Sequence, residues 1–409
     1  MSSLTERPRV VAVTTDLKMT GSKRVLVDGA CGIDRRRFDP HVLLFSPVPP
    51  EDPLRRELEA AGVPVHHVPV RARVSPRGLK ALSRWIDGEG RPDLFHTHCA
   101  RSAGIVRLCV ALRRRRGRPA VVVHFHGTVS RRALRPTNRV LDRLLRPVTD
   151  LVLAPTAAAA ARGGSAHAYR GLRARIVHNG VDLKRVARAL RPASEVRRAW
   201  GVPQDARVVL LLGRWDAAKG HDVLLDAIPL VLAHPEPVRF VLVAPEGGGS
   251  YRSGLERLVR DTALRRFVVM TGRDTDPGSC YAAADVVAMP SRDEPFGLVA
   301  VEAMGAGRSL VVARAGGLPE VCGDEDAVVW VPPDDPLALG RAILDVLGED
   351  ATARAARGDR ARVRAARFAL PAYLHHLESA YADALDRPDL RPLGPEPEGA
   401  VDVDWTRAT

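Results

Sequence analysis

The sequence predicts an α/β protein built as two doubly wound, Rossmann-like domains facing across a cleft. Three observations predict it. Short apolar runs alternate with longer, half-polar segments of helical period. The alternation stops once and then restarts, and the residues least suited to the interior of a strand or helix gather where the strands end. With 409 residues the chain exceeds one ordinary core and suits two α/β domains of about 150–200 residues each.

The first series of strand candidates is Val10–Thr14, Val42–Phe45, Val63–His66, Leu94–His96, Ala120–Val123, Leu151–Ala154 and Ile176–His178. Helical stretches between them match the crossovers that parallel strands require. From Val181 to Ser194 there is a proline and several arginines but no strand-like run, so the linker is placed there. After Pro192 the rhythm resumes with Val208–Leu212, Phe240–Val243, Val268–Met270, Val286–Ala288, Leu310–Val312 and Val328–Val331. Domains are therefore expected over 1–184 and 185–370, followed by a helix within 371–388 and a polar, Pro-rich tail over 389–409, expected to be loosely ordered.

Composition narrows the function classes. Hydrophobic residues make up 45% of the chain and the mean hydropathy is -0.10, as in soluble globular proteins. The longest apolar candidate, Leu151–Ala161, falls short of the roughly 20 residues that span a bilayer. The run Val10–Val13 ends near Asp16 and Lys18 without forming a signal-peptide core, so a cytoplasmic protein is expected. Cys31, Cys99, Cys109, Cys280 and Cys322 are scattered, odd in number and lack Cys-x-x-Cys spacing, which indicates neither a disulfide framework nor a zinc site.

Charge is distributed unevenly. Residues 1–190 hold 36 Lys+Arg against 15 Asp+Glu, whereas residues 191–409 hold 26 against 33. A basic half attracts nucleic acid, anionic membrane or acidic substrates. Nucleic acid is disfavoured because aromatic side chains for base stacking amount to only 4%. Arg131, Arg132, Arg135, Arg139, Arg143 and Arg146 recur at helical spacing opposite Leu134, Leu141 and Leu145, a pattern for lying on anionic lipid or for a solvated face. Arg113–Arg116 with Arg118 read equally well as a solvated charged run.

The most informative stretch is Met289–Gly307. It leaves a strand candidate, crosses a Pro-rich turn and enters an almost wholly apolar helix bounded by Gly297 and Gly305. Its one charged residue, Glu302, needs a hydrogen-bond partner there, because an unpaired buried carboxylate costs several kcal/mol. Glu294 lies eight residues earlier in the turn, and Gly297 opens the first helical amides to an anion. Two carboxylates for hydroxyls and an amide cradle for an anion fit a sugar nucleotide.

This E-x7-E pattern, with Pro-Phe-Gly after Glu294, resembles the donor-site signature of the family 4 retaining glycosyltransferases, which have the two-domain GT-B fold. Gly213-Arg214 and Lys219-Gly220 complete the similar Gly-Arg-x4-Lys-Gly pattern. By that resemblance Arg214 and Lys219 bind the diphosphate, Glu302 the ribose hydroxyls, Glu294 a donor-sugar hydroxyl, and the Phe296, Gly297 and Leu298 amides the sugar or phosphate. Gly272-Arg273 falls where relatives place backbone against the nucleotide base. Glu246-Gly247-Gly248-Gly249-Ser250 occupies the family's glycine-rich loop, with Ala-Pro-Glu in place of the usual Gly-x-Gly start. Gly316-Gly317-Leu318-Pro319-Glu320 resembles another family element. Gly21, in Thr-Gly-Ser-Lys, resembles a first-loop Gly-Gly-Ser-Glu region near the donor phosphates, with Thr20 and Lys23 as departures.

His126 before Gly127 matches a family histidine beside the donor sugar, where it can bond a hydroxyl or the developing leaving group. His98 stands on the acceptor side or serves structure alone. His96-x-His98 suggests a metal pair, but no third ligand of suitable spacing is apparent, and His96 is read as structural. The Asp402-Val403-Asp404 pattern is dismissed as a metal site because of its tail context.

The resemblance covers residues 9–386 and implies a retaining, metal-independent transferase needing no cofactor. It would move a sugar from a nucleotide-diphosphate-sugar to a sugar, lipid-linked or anionic acceptor, with His126, Glu294, Arg214 and Lys219 as the catalytic set. It further implies a terminal helix, Pro371 to Leu385, that crosses back to the first domain. Contact with anionic membrane at the inner face of the cell is the expectation drawn from the basic half. The rival readings are a nucleotide-sugar epimerase, which the E-x7-E and Arg/Lys set disfavours, and a non-catalytic binding subunit of a membrane or polysaccharide assembly.

Overall fold

The computed structural model describes residues 7–70, 75–113, 118–127, 140, 142–165, 169, 171–272, 276–323, 326–392, 397 and 401–404. The chain divides into two compact units: residues 1–180 with 370–409, and residues 181–369. The break falls at the first residue of the segment that the sequence marks as linker. That segment is not extended chain, since it carries the short helices Leu183–Ala187 and Ala193–Ala199.

The first unit holds β1 (Arg9–Thr14), β2 (Asp39–Leu44), β3 (Val65–His67), β4 (Leu94–Thr97), β5 (Ala120–His124), β6 (Leu151–Ala154) and β7 (Arg173–Ile176). All seven pair in parallel, in the order β7-β6-β5-β4-β1-β2-β3. Their apolar residues are buried on both faces, for example Val11, Val13, Phe95 and Val121 on one side and Ala12, Val42 and Leu44 on the other. Helices on both faces explain why such strands read as continuous apolar runs.

The second unit repeats the design with β8 (Arg207–Leu212), β9 (Val238–Val243), β10 (Val268–Thr271), β11 (Val286–Met289), β12 (Ser309–Ala313) and β13 (Val329–Val331). This sheet is also parallel, ordered β10-β9-β8-β11-β12-β13. In both sheets the chain builds outward in one direction and then jumps to the other side. The jump lies between β1 and β4 in the first unit and between β8 and β11 in the second. At such a switch point the flanking loops diverge and leave a crevice at the carboxyl ends of the strands.

One element contradicts the sequence reading. Val401–Asp404, expected in a loosely ordered tail, forms β14 and pairs antiparallel with β7, Val401 opposite Ile176. It lies at the sheet edge, where unpaired backbone groups of β7 would otherwise face solvent. The terminal helix runs Leu370–Ala384 and belongs to the first unit. It packs on the helix Gly21–Gly32, where Leu374 lies against Gly32 and Leu377 against Gly29.

Candidate functional site

The second unit's switch point is bounded by the loop after β8 and the loop after β11. Gly213 closes β8, its N–H donating to the Val243 carbonyl at 3.0 Å, and Arg214 projects from the next position with its side chain 53% exposed. Arg214 meets one acid, Asp216, at 3.5 Å, so most of its donor capacity stays in water. The chain then forms a single turn, Ala217–Lys219, capped by Asp216, which accepts from the Ala218 N–H.

Lys219 closes that turn and its ammonium forms an ion pair with Glu294 from the loop after β11. The side chains are 20% and 11% exposed. Cation and carboxylate, read from separate motifs, thus form one unit. Arg292 ties the same two loops together: its guanidinium donates to the Ala217 carbonyl at 2.7 Å and to both oxygens of Asp222 at 2.9 and 2.8 Å. The sequence reading missed Arg292 because its partners lie in another motif.

Two glycines set how closely the loops approach. Gly220 has φ +68, and a Cβ there would lie 2.0 Å from the Pro290 carbonyl oxygen. Gly316 has φ +58, and its Cβ would lie 2.3 Å from the Glu294 carbonyl oxygen, while the Gly317 N–H donates to that oxygen at 2.7 Å. The Gly316-Gly317 element is therefore a clamp on Glu294. Gly220→Ala is expected to lower stability by at least about 2 kcal/mol, from left-handed strain plus a backbone collision. Gly254→Ala, in a helix with open space around the site, should instead raise it by roughly 0.5–1 kcal/mol. Thermal unfolding of both variants checks the contrast.

The helix Leu298–Gly305 starts from Gly297, at φ 95, beside Glu294. Its first amides, Leu298 and Val299, precede the first internal bond, Ala300 N–H to the Gly297 carbonyl. They are placed to receive an anion. Phe296 turns inward, packing edge-on against Phe368 at 5.6 Å, so its side chain serves the core. Glu302 is buried and accepts from the Tyr281 hydroxyl at 2.7 Å, which supplies the partner that its position demanded. Gly272 stands at the end of β10 and is exposed, while Arg273 lies outside the described residues.

In the first unit, His96 and His98 lie on and just after β4, and His124 and His126 on and just after β5. The register His96 opposite Val122 brings His98 level with His124, and the four rings form a cluster in which His124 stacks on His96 and His126 while His98 is tilted against His96 and His124. His98 bonds His96 at 3.2 Å through Nε2 and His126 at 3.3 Å through Nδ1, and His96 Nδ1 meets the Tyr381 hydroxyl at 2.7 Å. Desolvation holds His96, His98 and His126 well below the usual histidine range, and it pushes His124 down to about 3. At neutral pH these are uncharged donors and acceptors.

The expectation that His96-x-His98 lacks a third ligand is corrected: nitrogens of His96, His98 and His124 lie within 4.8 Å of one another. The signal was a second His-x-His on the adjacent strand. The His96 and His124 rings are stacked, 16° from parallel and 5.3 Å apart, rather than splayed around one point as ligands of a tetrahedral ion are. Gly21 is the first residue of its helix, and Lys23 is buried beneath it.

The basic runs divide. Arg113 pairs with Asp87 and Arg118 with Asp150, so both fasten the fold. Arg114–Arg116, Arg131, Arg132, Arg135 and Arg139 lie outside the described residues.

Two parallel sheets, each with its polar residues at the switch point, define a two-domain Rossmann-like protein of the GT-B class. Two family models match: Glycosyltransferase Family 4 over residues 19–185 and Glycosyl transferases group 1 over residues 206–349. The D-inositol 3-phosphate glycosyltransferase of Thermobispora bispora is 31% identical over 314 residues, covering 73% of this chain and 72% of that protein. The chain belongs to the family 4, group 1 glycosyltransferases. The protein of the same description from Corynebacterium kroppenstedtii is 37% identical over 217 residues, 51% of this chain and 48% of its own. The chain thus spans only about half the length of several curated relatives that it matches. Among solved structures, Anabaena HepE in complex with UDP and glucose superposes with a TM-score of 0.77 at 24% identity, covering 91% of this chain and 99% of that one. Sucrose-phosphate synthase of Thermosynechococcus elongatus gives 0.71 at 22% identity, covering 93% and 100%. These likenesses bear on the fold.

Proposed function

We propose that this chain transfers a sugar from a nucleotide-diphosphate-sugar to an acceptor hydroxyl, with retention of configuration and without a metal ion. The observation that carries the reading is the joining of Lys219 and Glu294 at the second unit's switch point, with Arg214 exposed beside them. A leaving diphosphate needs its developing charge neutralised, and a guanidinium, an ammonium and helix amides supply that from the protein. Glu294 then accepts from a donor-sugar hydroxyl and Glu302 from the ribose. The relatives' names and the UDP complex of HepE support a nucleotide-sugar donor and a polyol acceptor.

The first unit is read as the acceptor side, with His126 directed to the sugar and His98 behind it. Its positive charge suits an acceptor that is anionic or held at an anionic membrane, in glycan, glycolipid or glycoconjugate synthesis at the inner face of the cell. Among the described residues no helix is long and apolar enough to cross a membrane.

A thermal-shift screen of nucleotide-sugars tests the reading, because a bound donor stabilises the fold by mass action, by about 2.7 kcal/mol at a hundredfold excess over Kd. No shift with any nucleotide-sugar would overturn it. Activity is expected to survive exhaustive dialysis against EDTA; loss that Mg²⁺ or Zn²⁺ restores would contradict metal independence.

A further inference from the structure

In the first unit a lysine lies buried with no carboxylate beside it among the described residues. Lys23 is 6% exposed, in the first turn of the helix Gly21–Gly32, and its ammonium donates to the Thr14 hydroxyl. Among the described residues it forms no ion pair. Lysine is almost never buried unpaired, because the desolvated charge is not repaid by a neutral hydroxyl. Such a charge persists where a partner arrives from outside.

Its surroundings state what that partner is. Thr14 ends β1, and the His98 N–H donates to the Val13 carbonyl at 3.0 Å, so lysine, threonine and His98 occupy the β1/β4 switch point. Lys23 is close enough to His98 and His126 for its charge to oppose their protonation. The N-cap residue Thr20 makes no side-chain cap bond, and the Gly21 and Ser22 amides precede the first internal bond, Lys23 N–H to the Thr20 carbonyl at 3.1 Å. The grouping consists of a cation, a hydroxyl, uncharged imidazoles and helix N–H groups, with no acid among them. It matches a single carboxylate or phosphoryl group.

We propose that Lys23, with Thr14, His98, His126 and the open start of the helix Gly21–Gly32, is the seat for an anionic group carried by the acceptor. The proposal rests on the reading of the first unit as the acceptor side. Lys23 makes acceptor charge a requirement, because only an anionic group offsets the buried ammonium. A neutral sugar leaves it unpaired.

The probe is inorganic phosphate, titrated against chloride at constant ionic strength. It is followed by the ring-nitrogen NMR signals of His98 and His126 and by the thermal midpoint. The wild-type chain and Arg214→Ala are both expected to bind phosphate with shifts at the two rings, and saturating UDP should leave those shifts in place. Lys23→Met should weaken phosphate binding at least tenfold and raise the midpoint in phosphate-free buffer. Thr14→Val, which keeps the ammonium, should weaken it less.

Unchanged affinity in Lys23→Met would overturn the proposal, as would a lowered midpoint in that variant, which would mark a structural lysine. Equal effects of phosphate and chloride would reduce the seat to general screening. Displacement by UDP would assign the anion to the donor diphosphate. Failure of the donor reading shows separately, as no midpoint shift with nucleotide-sugars while phosphate still moves the two rings.

Discussion

Arg214→Ala and Lys219→Ala are each expected to lower sugar transfer about 100- to 1000-fold, the cost of removing one charge-stabilising contact, or about 2.7–4 kcal/mol. In stability the structure separates the two variants. Arg214 is half in water with one loose partner, so its removal should barely move the thermal midpoint. Lys219 neutralises Glu294, whose side chain is 11% exposed. Removing one member of a fully buried ion pair costs about 3–5 kcal/mol, and the partial exposure of Lys219 places its loss below that range yet well above the exposed case. The double variant Lys219→Met/Glu294→Gln should regain stability without regaining transfer, since both partners become neutral together. Steady-state transfer, or donor hydrolysis to the nucleoside diphosphate, reads the first effect, and calorimetry reads the second. Near-normal turnover in both single variants would remove these residues from the reaction.

What the sequence made legible follows from what is local. The parallel strands of both sheets were visible because strands buried on both faces read as unbroken Val, Leu and Ile runs, and the observed ends differ from the expected ones by a few residues. β14 was not visible: Val-Asp-Val-Asp lies in a polar tail, and its pairing with β7 joins segments more than two hundred residues apart. Glu294, Glu302, Arg214 and Lys219 were legible as residue types at characteristic spacings. Their partners were not, because Lys219 with Glu294, Tyr281 with Glu302 and His98 with His124 are made by sheet order and register. For the same reason Arg113 and Arg118 looked like free charge until Asp87 and Asp150 were found beside them. The identity of Lys23 was legible as a departure in the first loop, whereas its burial required the packing of the helix Gly21–Gly32 over β1.

Mild acid is expected to unfold the first unit cooperatively, well above the pH at which carboxylates titrate. His41, His96, His98, His124 and His126 all hold pKa values below the ordinary one, chiefly through desolvation. Above about pH 6.5 these rings are neutral in the folded and unfolded chains alike, and they impose no pH dependence. Below it the unfolded chain takes up protons that the folded chain refuses, so stability falls with falling pH until each folded pKa is reached. Each such ring contributes a slope of up to about 1.4 kcal/mol per pH unit. The four clustered rings, which lie furthest below the ordinary value, together approach the roughly 5–15 kcal/mol stability of a typical domain within about one to two units. Among the described residues the second unit has fewer such groups, one of them His221, pushed down to about 4 by burial, and it should outlast the first. Thermal midpoints between pH 7.5 and 5 provide the measurement, with two transitions separating as the pH drops. His124→Phe removes one refused proton and keeps a ring in the stack, so it should flatten the slope of the first transition by about a fifth. A midpoint level from pH 7.5 to 5.5 would mean that the stacked histidines accept protons in the folded state, and the neutral cluster described around His98 would then have to be given up.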